Sequence, residues 1–166
     1  NEGDPNNQGF DEFYGYNCQK LAHRYYPPYL NHNQEIDSLK GNDWTHKVTY
    51  APDRIQEERL KFIEKNKDKP FFLYLPFLEP HVSMQPPKVW VDFYPKEWDD
   101  EKLGGKGVYR GQCGYLPHDR PRAAYAAMIS DLDEHVGTIV DRLEHHGLTD
   151  NTIVIFTSDN GTTHGG

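Results

Sequence analysis

Two short clusters set chemistry-bearing side chains next to one another. Ser158-Asp159-Asn160-Gly161 follows the apolar run 152–157, and Glu79-Pro80-His81 follows the apolar run 71–75. Asp159 and Asn160 place a carboxylate beside a side-chain amide, two hard oxygen donors of the kind that Ca²⁺ or Mg²⁺ prefers. Gly161 permits the tight turn that would aim both the same way. Calcium takes about 6–8 oxygens, so the pair supplies only part of a coordination shell. Taken alone, Asp-Asn-Gly is ordinary turn chemistry, an Asx turn closing a strand. His81 has two readings that its position leaves level. It is either a proton donor to an anionic substrate or leaving oxygen, or a loop histidine bonded to backbone.

Other candidates read as structural. Glu57-Glu58 and Asp131, Asp133 and Glu134 lie in amphipathic helical patterns and are expected to face water. His32, His46, His135, His145 and His146 are read as solvated, the last three on a polar helix face. No Walker A loop, G-x-G-x-x-G, G-x-S-x-G or H-E-x-x-H occurs, so nucleotide, serine-hydrolase and zinc-protease chemistry lack support. Cys18 and Cys113 are too few for a disulfide framework or a zinc set. Two free or buried thiols is the simpler reading, with one disulfide open if the protein is exported.

The elements that must position these clusters follow from periodicity. The segment 53–66 reads as an amphipathic helix with Asp53 as N-cap. Ile55, Arg59, Phe62 and Ile63 form its inner stripe, Arg59 through its aliphatic stem. Lys67-Asp68-Lys69-Pro70 ends it with a basic turn and a proline stop. A second helix spans about 122–145, roughly 36 Å at 1.5 Å per residue. Pro121 opens it, and Gly147 is its expected C-cap. Tyr125, Met128, Ile129, Leu132, Val136, Ile139, Val140 and Leu143 make its apolar stripe. The runs 71–75 and 152–157 are continuous apolar stretches, as strands covered on both faces should be. Residues 10–44 read as long loops with a short hairpin, and 82–120 as an irregular excursion. The alternation of helix and strand predicts an α/β domain with a parallel sheet. In such sheets ligands collect at the carboxyl ends of strands, where both clusters sit.

Composition excludes some partners. Eighteen Lys plus Arg against 26 Asp plus Glu give a net charge of −8, which argues against nucleic acid or an anionic membrane surface. No apolar run approaches the roughly 20 residues of a membrane span.

Four segments, in order, resemble the type I sulfatases. They are Gly9-Phe-Asp-Glu-Phe-Tyr-Gly-Tyr16, Lys69-Pro-Phe-Phe-Leu-Tyr-Leu-Pro-Phe-Leu-Glu-Pro-His81, Ala124-Tyr-Ala-Ala-Met-Ile-Ser-Asp-Leu-Asp-Glu-His-Val-Gly137 and Asp150-Asn-Thr-Ile-Val-Ile-Phe-Thr-Ser-Asp-Asn-Gly161. The resemblance implies an alkaline-phosphatase-like α/β/α sandwich with a mostly parallel sheet. Residues 1–166 would be part of one catalytic domain truncated at both ends. It implies hydrolysis of sulfate esters, with many relatives acting on sulfated carbohydrates, and a divalent cation, usually Ca²⁺ with Mg²⁺ or Mn²⁺ as alternatives. Asp159 and Asn160 match two of the cation's ligands, and His81 matches the histidine that binds sulfate or assists the leaving oxygen. Asn17, Gln19, His23 and Arg24, in a loop expected to border the cleft, are candidate carbohydrate contacts. Packing around Tyr25 and Tyr26 is the equally simple reading of these four.

The family's formylglycine nucleophile arises from Cys or Ser in C/S-x-P-S-R. Cys18 precedes Gln-Lys-Leu-Ala and Cys113 precedes Gly-Tyr-Leu-Pro, so the nucleophile is expected outside this chain. A first aspartate pair and a Lys/His substrate pair are expected upstream of Asn1, and a further lysine beyond Gly166. The isolated chain is expected to be inactive. A phosphodiesterase or phosphonate monoester hydrolase of the same superfold, or a non-catalytic carbohydrate-binding relative, are the alternatives. Export to a periplasm, lysosome or exterior is implied by the family alone.

Overall fold

The computed structural model describes residues 2–103, 105, 107, 110, 111 and 115–161. Two helices form its frame. Helix α2 spans Ala51–Asn66 and helix α4 spans Pro121–His145, after a one-turn helix α1 at Gln19–Ala22 and a short helix α3 at Lys88–Phe93. Helix α2 starts two residues earlier than Asp53, with Tyr50 at the N-cap and Pro52 in the first turn, where its missing N–H costs nothing. Asp53 is instead the third residue of the helix, where its charge suits the positive end of the helix dipole. Helix α4 also begins at a proline. It ends at His145, with His146 as C-cap and Gly147 just beyond in the left-handed region at φ 66°.

The buried positions of α2 include Ala51, Ile55, Arg59 and Ile63, an i, i+4 stripe whose first part packs on Leu30 and Leu39 and whose Ile63 packs on Ile139 and Leu143 of α4. The buried face of α4 differs from the expected one. Ala124, Ala127, Met128, Asp131, His135, Ile139 and Leu143 point inward, while Ile129 and Val140 are exposed. The apolar pattern of α4 is wide enough to tolerate a rotation, and packing against α2 chose the side carrying Asp131 and His135.

Strands β1 (Tyr14–Gly15), β2 (Tyr29–His32) and β3 (Glu35–Ser38) form a three-stranded antiparallel sheet in the order β1-β2-β3. The β2–β3 hairpin turns at Asn33 and Gln34. Asn33 sits at φ 53°, a conformation its short polar side chain tolerates, and its Oδ1 accepts from the Phe13 amide at 2.9 Å. This hairpin lies in the region expected to be mostly loop.

The two apolar runs expected as parallel strands are extended but make no ladder among the described residues. A strand is defined by hydrogen bonds to a neighbour, and among the described residues neither run is paired in a sheet. The first run still has a sided character. Phe71, Leu73, Leu75 and Phe77 pack on Ile63, Ile139 and Leu143, whereas Phe72 is 76% exposed and Tyr74 points out with it. The second run has no such side: Ile153 is 89% exposed, and Val154, Ile155 and Phe156 are exposed as well.

Candidate functional site

His81 ends a turn that the fold holds firmly. Its amide donates to Leu78 O at 2.9 Å. The Tyr25 hydroxyl, buried in the core, lies 3.1 Å from Leu78 O and 2.9 Å from His81 O, so one donor pins both ends of the turn. The ring Nδ1 contacts Val82 O. A carbonyl only accepts, so Nδ1 carries the proton in this arrangement and Nε2 is the open nitrogen. The ring itself is exposed.

Two aromatic side chains meet that ring. The His23 ring centroid lies 5.2 Å from His81 and Tyr115 lies 5.9 Å from it, with His23 and Tyr115 5.3 Å apart. His23 sits at the C-terminal end of α1, and its carbonyl accepts from Gln85 Nε2 at 3.3 Å. The fold thus gathers His23 and His81, separated by 58 positions, with Tyr115, which carried no local signal. The other loop candidates lie elsewhere. Arg24 stacks its guanidinium 5.1 Å over Trp44, Asn17 donates to Asp4 Oδ2 at 3.1 Å, and Gln19 is exposed at the first position of α1.

Asp159 and Asn160 are exposed at the end of the second apolar run. Asn160 Nδ2 donates to Gly161 O at 2.8 Å, and Ser158 Oγ donates to Asn160 O at 2.5 Å. Two hard oxygens fit a divalent cation of the calcium or magnesium type as part of its shell. Cys18 is free and exposed, and Cys113 lies outside the described residues.

A third cluster was expected to face water and does not. Asp131 is 2% exposed and His135 6%, whereas their neighbours Asp133 and Glu134 are exposed as expected. His135 Nε2 lies 3.3 Å from Asp53 Oδ1 of α2, and Asp53, Asp131 and His135 offer ligand atoms within 4.8 Å of one another. Gln56 Nε2 donates to His135 O at 3.0 Å, and the Arg59 guanidinium stacks 4.0 Å over Phe77. Glu79, from the turn that carries His81, is buried within reach of these charges. Burial pushes the Glu79 carboxyl up to about 7 and Asp131 up to about 6. Burial opposes the charged form of His135, but its bond to Asp53 and the charges of Asp131 and Glu79 outweigh that and raise it. Burial also lowers Arg59 to about 10. Glu79 Oε1, Asp131 Oδ2 and His135 Nδ1 have no hydrogen-bond partner among the described residues. Such a group can share protons or hold a metal ion. The signal available in the sequence was spacing: Asp131 and His135 continue the i, i+4 stripe of Ala127.

The family model described as Sulfatase matches residues 1–166. An uncharacterized sulfatase of Escherichia coli, YdeN, is 30% identical over 162 residues, which cover 96% of this chain and 24% of that protein. An N-acetylgalactosamine-6-O-sulfatase of Bacteroides thetaiotaomicron is 33% identical over 109 residues, 66% of this chain and 16% of that one. The crystal structure of Ps i-CgsB in complex with k-i-k-neocarrahexaose superposes with a TM-score of 0.60 at 24% identity, covering 90% of this chain and 32% of that chain. That likeness shows the fold. The chain spans about a quarter of the length of YdeN.

Proposed function

The chain belongs to the sulfatase family and shares its alkaline-phosphatase-like α/β fold, and from that premise we propose that it is part of an enzyme that hydrolyses sulfate esters on a carbohydrate. The observation that carries the reading is the state of His81. Its Nδ1 is occupied by the Val82 carbonyl and its backbone is pinned by Tyr25, so the exposed Nε2 is a nitrogen of fixed direction. When the ring is protonated, such a nitrogen donates to a sulfate oxygen or delivers its proton to the departing alcohol. His23, beside it, adds a second imidazole to the same surface. Asp159 and Asn160 would hold a divalent cation, Ca²⁺ or alternatively Mg²⁺ or Mn²⁺, as two of its ligands. Such a cation supplies positive charge against the sulfate group. A carbohydrate substrate is supported by the N-acetylgalactosamine-6-O-sulfatase among the relatives and by the neocarrahexaose bound to the structural neighbour.

The test is hydrolysis of paired aryl sulfate and aryl phosphate esters by the full-length protein, beside His81→Ala and Asp159→Ala. The expected result is sulfate release that falls by about 10²-fold or more in His81→Ala, the scale of lost acid–base assistance. Asp159→Ala is expected to lose release together with its response to added calcium. Preferred phosphate release would move the protein to the phosphodiesterase branch. Unchanged sulfate release in both variants would refute the assigned roles.

A further inference from the structure

Beside the ring cluster lies a hollow of about 290 Å³ lined by Tyr26, Lys47, Gln85, Lys88, Leu116 and His118 among others. We propose that this hollow is a second anion subsite, which binds a further negatively charged group on the sulfated sugar whose ester sits at His81. The inference rests on the sulfatase reading for the position of the cleaved ester.

The hollow is joined to the ring cluster through both of its walls. One wall, residues 84–86, follows directly from the His81 turn, and Gln85 Nε2 bonds the carbonyl of His23. The other, residues 116–118, follows Tyr115, whose ring touches both histidines. The Leu116 amide donates to Ser83 Oγ at 2.8 Å and ties the walls together. A sugar chain leaving His81 therefore meets this hollow next. Its volume is at the small end of ligand pockets, which suits one sugar-sized group.

Its charge is opposite to that of the chain. The protein carries −8 overall, yet two lysines line the hollow and, among the described residues, no carboxylate does; His118 adds an imidazole that burial favours in its neutral form. Lys88 pairs with Asp92. Lys47 has no carboxylate partner among the described residues and instead sits 6.0 Å over the ring of Tyr26. Arg24, also without a carboxylate partner among them, is near enough that its charge, after burial, lowers the Lys47 ammonium. An anion in the hollow would pair with the Lys47 ammonium and offset its repulsion from Arg24. Tyr26, which lines the hollow under Lys47, is also a flat face of the kind that sugar rings stack upon. The shared chemistry is an oxyanion on a sugar: a second sulfate ester or a uronic carboxylate.

The experiment compares kcat/KM of the full-length protein for three disaccharides with the same cleavable sulfate. One carries a second sulfate, one a carboxylate, and one no further charge. Lys47 is exposed, so Lys47→Gln leaves the core intact. The expected result is a fall of about tenfold in the ratio of disulfated to monosulfated kcat/KM in Lys47→Gln, the size of one charge-assisted contact. Lys47→Arg should restore the ratio. A carboxylate substrate that follows the disulfated one marks the subsite as general for anions, and one that follows the monosulfated marks it as sulfate-specific. An unchanged ratio in Lys47→Gln overturns the proposal. If no substrate is turned over, the sulfatase reading fails by itself, and calorimetric binding of the disulfated disaccharide decides the subsite. Weaker binding to Lys47→Gln upholds it, and equal binding removes it.

Discussion

Replacing Glu79 by glutamine isolates the cost of ionising a carboxyl inside the helix pair. Glu79 is 6% exposed, and burial, with the nearby charge of Asp131 adding to it, moves its pKa from 4.5 to about 7. A group with a raised native pKa binds protons more tightly folded than unfolded. Its contribution to stability is therefore whole below about pH 4.5 and is lost as pH climbs towards about 7. That gap is worth roughly 3 kcal/mol at about 1.4 kcal/mol per pH unit. Glutamine is neutral at every pH and close in shape to the protonated carboxyl. The variant should match wild type near pH 4.5 and exceed it by up to roughly 3 kcal/mol at pH 8. Urea denaturation of the full-length protein and Glu79→Gln across that range is the assay. Asp131, raised to about 6, and His135, also raised, give wild-type stability the same downward slope with pH. The difference between the two proteins, and not the slope of either, is thus the quantity to read. A difference that is the same at pH 4.5 and pH 8 would refute the reasoning.

Two further substitutions probe how the frame holds the site. Asp99, buried in the excursion, accepts from the Arg122 amide at 2.8 Å and the Ala123 amide at 3.2 Å, capping α4 from outside the helix. Asp99→Ala should cost about 1–2 kcal/mol by denaturation, and Asp99→Asn should recover most of it. Tyr25→Phe leaves the Leu78 and His81 carbonyls without their buried donor and should cost about 1–3 kcal/mol. It should also lower kcat for sulfate release more than it raises KM, because His81 loses its anchor. Unchanged kcat would show that the turn is held without Tyr25.

Periodicity and punctuation in the sequence determined the helical frame and the two clusters at the ends of the apolar runs. Helix α2 and helix α4 were legible because apolar stripes and end signals, Asp53 and Pro70 for α2 and Pro121 and Gly147 for α4, are local facts, written within one or two turns of chain. The resemblance in four ordered segments likewise pointed to the family whose model matches the whole chain. The sequence did not determine which side of α4 would be buried. Its apolar arc is broad, so small rotations differ little in hydrophobic burial, and contacts from α2 settled the angle. That rotation carried Asp131 and His135 from an expected solvated face into a buried cluster with Asp53 and Glu79. Nor could the sequence bring His23, His81 and Tyr115 together, or set Lys47 across from residues 116–118. Those meetings join irregular segments that have no period to read, and only the folded path of the backbone makes them neighbours.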